Sequence, residues 1–170
     1  ADETENPNVF DGIKNDIFYF VGAGSKVVDV IGADFDFVND VDTLSLTVGK
    51  DALAKKCDGT TFYFGDAPEE ALGEENYRFK LEYDEPSDTL TWTINEVITN
   101  LNPVQLSYRV KLTVAEPENG EKYYTNESAT LTPVDSDGEI GADEEFERPY
   151  VVYNDSSNGL TASILIAGLD

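Results

Sequence analysis

Between residues 81 and 131 the chain holds several runs in which apolar side chains fall at every second position, and that period limits what the chain can become. Leu90, Trp92 and Ile94 form one such row; Leu106, Tyr108, Val110, Leu112 and Val114 form another. Successive side chains of a strand point to opposite faces, so a period of two puts one face on a core and leaves the other wet. A helix, with about 3.6 residues per turn, cannot use this pattern. A half-buried antiparallel scaffold supplies no chemistry of its own, so function has to be sought in particular residues.

Turn signals divide the rest of the chain in the same way. Asp84-Glu85-Pro86-Ser87-Asp88 separates the alternating runs 77–83 and 89–94 and predicts a hairpin, and Pro117-Glu118-Asn119-Gly120 predicts another between 105–114 and 123–132. Further strands are expected at 26–31, 34–38, 44–48, 60–64, 151–153 and 160–169, with one helical turn at 50–56. Phe10, Ile13 and Ile17 stand at i, i+3 and i+7 and predict a short N-terminal helix broken by Gly22-Ala23-Gly24. The expected fold is all-β: an antiparallel Ig-like β-sandwich of seven to nine strands with that helix in front. Residues 1–8, polar and acidic with Pro7, read as a disordered tail. The sandwich spans 9–135, and 136–170 supply an acidic loop and C-terminal strands that complete the same domain.

Charge narrows the partners. Eleven basic residues against 35 acidic give a net charge of −24, which argues against nucleic acid and against an anionic membrane surface. Such a charge favours solubility and a monomer, and adaptation to high salt accounts for it equally well. The apolar runs at 17–21 and 162–167 are too short to span a bilayer. A first residue Ala1 rather than Met suggests a processed chain or an excised fragment.

Chemistry finds little purchase. With no His in the chain, a Ser-His-Asp or Cys-His arrangement cannot be built, and no Gly-rich phosphate loop follows a strand. Carboxylates are too many for any acid–base pair to stand out. The chain is read as no enzyme and as needing no cofactor. Cys57 is the only cysteine, so an intrachain disulfide is excluded and the thiol reads as structural or inert. For calcium, the candidates are Asp135, Asp137 and Glu139, or the acids between Asp34 and Asp40, although the complete EF-hand spacing is missing. Asn126-Glu127-Ser128 and Asn154-Asp155-Ser156 match the glycosylation sequon. Trp92 is expected in the core.

Three segments carry a resemblance. The run from Lys26 through Asp29 to Phe35, the pair Leu81-Glu82-Tyr83-Asp84 and Leu90-Thr91-Trp92-Thr93-Ile94, and Leu106 to Leu112 followed by Tyr124-Thr125-Asn126-Glu127-Ser128-Ala129-Thr130-Leu131 together resemble β-sandwich domains of Gram-positive cell-wall-anchored adhesins and pilins. The type most similar follows a von Willebrand factor A domain. Many such domains carry an isopeptide bond between a Lys amine and an Asn carboxamide, promoted by a buried acid. The resemblance implies Asp29 as that acid and Asn126 as the electrophile, with Lys26 and Lys111 as candidate amines. Lys26 lies three residues from Asp29, on the opposite face of a regular strand, and Lys111 alternates outward from Val110 and Leu112. A plain hydrogen-bonded clasp between Asp29 and Asn126 is therefore the default expectation for these two residues.

The resemblance also implies an extracellular, cell-surface module. As a stalk or spacer it would support adhesion and touch neighbouring domains of the same protein. As a ligand-binding module it would recognise host glycan or protein, with Tyr63, Tyr123 and Tyr150 exposed along one rim.

Overall fold

The structure is a computed structural model and describes residues 13–17, 21–66, 68–99, 101–148, 150–152 and 160–168, with side chains described from residue 21 to 152. Apart from two short 3₁₀ turns, the regular elements among its described residues are strands. In chain order these are β1 (Ile13–Ile17), β2 (Lys26–Ile31), β3 (Phe35–Phe37), β4 (Ser45–Val48), β5 (Asp51–Ala52), β6 (Ala54–Asp58), β7 (Thr61–Gly65) and β8 (Phe79–Asp84). There follow β9 (Thr89–Ile94), β10 (Val104–Leu112), β11 (Lys122–Tyr124), β12 (Asn126–Thr132), β13 (Glu144–Glu145), β14 (Tyr150–Val152) and β15 (Leu160–Gly168).

Two sheets face one another. One runs β13-β12-β2-β9-β8-β7-β6, and the other runs β1-β15-β10-β4-β5, with β3 also paired to β10. A two-stranded ribbon, β11-β14, stands beside them. β3 and β4 lie along the same long strand, β10, one opposite residues 110–112 and the other opposite 104–107. A 3₁₀ turn, Val41–Thr43, separates them; the Asp40 side chain accepts from the backbone N–H of Asp42 and caps that turn.

The core is what the alternation requires. Leu90, Trp92 and Ile94 of β9 are buried, as are Val104, Leu106, Tyr108 and Val110 of β10, while Leu112 at the strand end is half-buried. Trp92 lies opposite Val27 of β2 and Leu81 of β8, with its ring 6.1 Å from that of Phe79. Phe37 joins the sheets: its ring meets Phe62 at 6.0 Å and Tyr83 at 4.7 Å on one sheet, and Tyr108 at 5.9 Å on its own. Edge strand β6 carries Lys55 and Lys56, whose ammonium groups reach the carbonyls of Leu44 and Leu72 and discourage a further strand from pairing there.

Three local expectations are corrected. Pro117–Gly120 does not close a hairpin between 105–114 and 123–132: β10 pairs with β15, β3 and β4, whereas β12 pairs with β2 and β13 in the facing sheet, so the chain crosses between layers there. Ile13–Ile17 is a strand, parallel to β15, and not part of a helix. Ile13 and Ile17 are four apart, a spacing that shares a face in either period, and β-branched residues next to Gly12 favour the extended form. Residues 1–12 lie outside the described residues, as do the proposed tail and Phe10. The turn expected at 50–56 is strand instead: Gly49, at a φ of +63°, reverses the chain so that β5 pairs back on β4, and β6 follows in the facing sheet against β7.

Candidate functional site

One cluster of polar side chains lies inside the sandwich. Asp29 of β2, Tyr108 of β10 and Asn126 of β12 are 2%, 0% and 1% exposed, so each must find its partners within the protein. They find them in one another. The Tyr108 hydroxyl donates to Asp29 Oδ2 at 2.5 Å, and the Asn126 amide donates to Asp29 Oδ1 and, at 2.8 Å, to the Tyr108 oxygen. The buried Thr125 hydroxyl donates to Asn126 Oδ1 at 2.7 Å. Tyr108 belongs to one sheet and the other two to the facing sheet, so the cluster ties the two layers through the core.

The backbone explains how Asn126 gets inside. Counting back by two from the buried Leu131 and Ala129 leads to position 127, and a regular strand would put Asn126 outside. A bulge intervenes: Asn126 pairs with Ile31 and Ser128 with Val30, leaving Glu127 without an opposite residue. The inserted residue swings Glu127 to solvent and Asn126 inward, diagonal to Asp29 on the same face. Gly32 completes the arrangement. Its N–H donates to Thr125 O at 2.8 Å, and a Cβ at that position would stand 1.9 Å from Tyr124 O, so only glycine lets the two strands approach so closely. From outside, Arg148 Nε donates to the Asn126 carbonyl at 3.2 Å.

Burial sets the electrostatics. Removal from water pushes the Asp29 carboxyl up to about 6 from its ordinary 3.8, against the lowering effect of its hydrogen bonds from Tyr108 and Asn126 and with a further upward push from Asp88. The Tyr108 hydroxyl is raised for the same reason, burial first and then the negative charge of Asp29, so it stays a donor. Asp88 contributes its carbonyl to the Ile31 N–H at 2.9 Å and holds a φ of +52° in the tight turn before β9.

The other sequence candidates are placed elsewhere. Lys26 and Lys111 are both exposed, on the outward faces of β2 and β10, and the structure does not bring either amine into the buried cluster. Among the described residues no group of three or more His, Cys, Asp or Glu side chains is set to hold a metal ion. Asp135, Asp137 and Glu139 do not converge: Asp135 Oδ1 accepts the backbone N–H groups of Asp137 and Glu139 at 2.8 and 2.9 Å and is occupied in its own turn. The Cys57 thiol donates to Gly59 O at 3.2 Å and is pushed up by burial and then by Asp58 and Asp40, which keeps it a thiol. In the folded chain, burial closes the Asn126 sequon, and Asn154 lies outside the described residues. Of the three tyrosines expected on a rim, Tyr63 and Tyr123 are 7% and 9% exposed and only Tyr150, at 44%, faces solvent.

Sequence reasoning missed Tyr108 as a member of the cluster and counted it only as core. The signal was available: a tyrosine in mid-strand between buried aliphatics must hand its hydroxyl to a partner.

The fold is a sandwich of two largely antiparallel sheets with a buried hydrogen-bonded cluster between its layers, the architecture of an Ig-like domain. The family whose model matches residues 21–152 is described as "Tip pilin GBS104-like, Ig-like domain", and the chain belongs to that family. Solved structures agree in fold. The adhesive tip pilin GBS104 from Group B Streptococcus agalactiae superposes with a TM-score of 0.51 at 19% identity, over 79% of this chain and 22% of that one. The RrgA Jo.In complex gives 0.53 at 19% identity, over 79% of this chain and 63% of its own. The pilus adhesin RrgA from Streptococcus pneumoniae gives 0.52 at 18% identity, over 87% and 17%. The chain therefore spans about a fifth of the length of the whole tip pilin and adhesin it matches. No curated protein sequence matches it.

Proposed function

We propose that this chain is a non-enzymatic stalk or spacer module of a surface adhesin or pilus-associated protein, extracellular and wall-anchored through the rest of its polypeptide. Its work is to transmit tension between neighbouring domains without opening. The observation that carries this reading is the pairing of the first and last described strands: β1 and β15 run parallel over residues 13–17 and 164–168. Force applied along the chain through these strands pulls them in opposite directions along their length. The ladder then resists in shear, with its hydrogen bonds loaded together rather than opened one by one.

The buried cluster supports the same role. Asp29, Tyr108 and Asn126 act as a hydrogen-bonded clasp between the layers, each satisfying the polar atoms of the others. An isopeptide bond through Asn126 is the competing role for the same residues, and it needs an amine that Lys26 and Lys111, both facing outward, do not present. Residues 136–170 are proposed to belong to the same domain, supported by the pairing of β13 with β12 and of β15 with β10.

Two measurements test the reading. Single-molecule pulling through the chain ends is expected to give a high-force unfolding event that falls markedly when residues 1–17 are removed, with circular dichroism confirming that the shortened chain still folds. Unfolding at low force, or a force indifferent to loss of β1, would reject the tension-bearing role. The intact mass should equal that of the uncrosslinked chain; a deficit of about 17 Da, one ammonia expelled by an attacking amine, would replace the clasp by a covalent bond.

A further inference from the structure

The outward face of the β11-β14 ribbon sets two cations on two exposed aromatic rings. Lys122 pairs with Val152 and Tyr124 with Tyr150, and all four side chains point away from the core. The Tyr124 and Tyr150 rings are 5.7 Å apart and near-perpendicular. Lys122 Nζ lies 4.7 Å from the Tyr150 centroid, and the Arg148 guanidinium 4.3 Å from that of Tyr124. The order along this face is cation, ring, ring, cation. Tyr124, Tyr150 and Val152 keep 39%, 44% and 42% of their surface in water.

We infer that this face binds a saccharide carrying carboxylated sugars, with a sugar ring laid on Tyr150 or Tyr124 and its carboxylate held by Lys122 or Arg148. Charge complementarity selects the partner. In a chain of 11 basic and 35 acidic residues, two cations are gathered here on exposed aromatic rings. Arg148 reaches Glu127 only at 3.9 Å, too long for a hydrogen bond, and among the described residues Lys122 makes no ion pair. Their N–H groups remain able to meet a carboxylate. The C–H faces of a sugar suit a tyrosine ring, and the cation–π contacts hold the charged ends in position before a ligand arrives, reducing the entropy lost on binding. Arg148 is fixed further by its bond to the Asn126 carbonyl. A densely sulfated chain fits less well, because the net charge of −24 repels a strong polyanion while a few spaced carboxylates can be neutralised locally. This reading does not depend on the stalk role, since a spacer can present such a face without losing its mechanical work.

The test is NMR titration of the full chain with a tetrasaccharide of alternating glucuronic acid and N-acetylglucosamine, against a neutral N-acetylglucosamine tetramer. The acidic sugar is expected to shift the amide resonances of β11 and β14 and of Arg148. Lys122→Gln should weaken binding about tenfold, the effect of losing one charge-assisted hydrogen bond, and Tyr150→Ala should weaken it further. Raising the salt should also weaken it. Lys122→Gln leaves the strand backbone untouched, so it remains informative if Tyr150→Ala disturbs the ribbon. Absence of shifts, equal binding of the neutral sugar, or binding unaffected by Lys122→Gln would overturn the proposal.

Discussion

Asp29 and Asp135 each accept two hydrogen bonds on the carboxylate, yet they work in opposite settings. Asp29 is enclosed between the sheets and is held by a phenol and a carboxamide from residues 79 and 97 positions away. Asp135 is exposed and is held by backbone N–H groups two and four residues on. Counting bonds makes them equal. The difference lies in what replaces the protein partners if they are lost: water for Asp135, and nothing for Asp29. An unsatisfied buried group bears its full desolvation cost, whereas an exposed one exchanges a protein bond for a water bond. The buried layer should therefore dominate stability, and loss of side-chain bonds in the 135–141 turn should hardly register.

The largest effect expected within the buried layer comes from its bulk. Trp92→Ala removes the indole between Val27, Leu81 and Phe79 and leaves a cavity that a two-sheet core cannot collapse upon. Urea unfolding should show a loss of about 3–5 kcal/mol. A loss below about 1 kcal/mol would mean that this side of the core is loosely packed, and the contrast with the turn would fail at its strongest point.

How far this contrast was legible in the sequence can be followed residue by residue. The runs 26–31 and 89–94 coincide with β2 and β9 because uninterrupted alternation between turn residues admits a single register. Asp29 and Asn126 were singled out by resemblance, and their contact rests on something the alternation conceals: the bulge at Glu127 reverses the face of Asn126. A bulge adds one residue and leaves no composition signal, so strict period-two counting puts Asn126 in water. Tyr63 and Tyr123 were expected outside because tyrosine suits either setting. Tyr63 buries its ring and sends its hydroxyl to Glu74 at 3.0 Å, a partner that only the fold brings near. The N-terminal strand was hidden for another reason, since its partner β15 lies about 150 residues away and local periodicity carries no information about it.

A pH titration sharpens the comparison next. The folded value of Asp29, raised by burial to about 6, stands above the ordinary 3.8. Between those values the native state holds a proton that the unfolded chain has released, so this group's contribution is fully present below about pH 4 and is lost as the pH climbs through 6. The two values differ by about two units, worth on the order of 3 kcal/mol at about 1.4 kcal/mol each. Many other carboxylates titrate in the same range, and Asp29→Asn isolates the term. The stability of the natural chain should fall relative to the Asp29→Asn variant between pH 4 and pH 7. Parallel profiles would show that burial does not burden the Asp29 carboxyl, and the contrast between the buried layer and the exposed turn would lose its electrostatic half.

The smallest effect belongs to the turn itself. Asp135→Ala removes the acceptor for the Asp137 and Glu139 N–H groups, but both residues are exposed and water takes its place. The 5-residue closure survives on backbone bonds, Gly138 N–H to Asp135 O at 3.0 Å and Asp135 N–H to Glu139 O at 2.9 Å, with Gly138 at a φ of +84° suited to glycine. The expected loss is within about 1 kcal/mol. Calcium offers a second handle on the same residues. A ligand bound only by the folded state raises stability in proportion to the logarithm of its concentration. Because Asp135, Asp137 and Glu139 do not converge on one point, millimolar calcium should leave the melting temperature of the natural chain and of Asp135→Ala equally unmoved. A calcium-dependent rise present in the natural chain and absent from the variant would reverse the assignment, making the turn a folded-state ligand site rather than a self-satisfied surface loop.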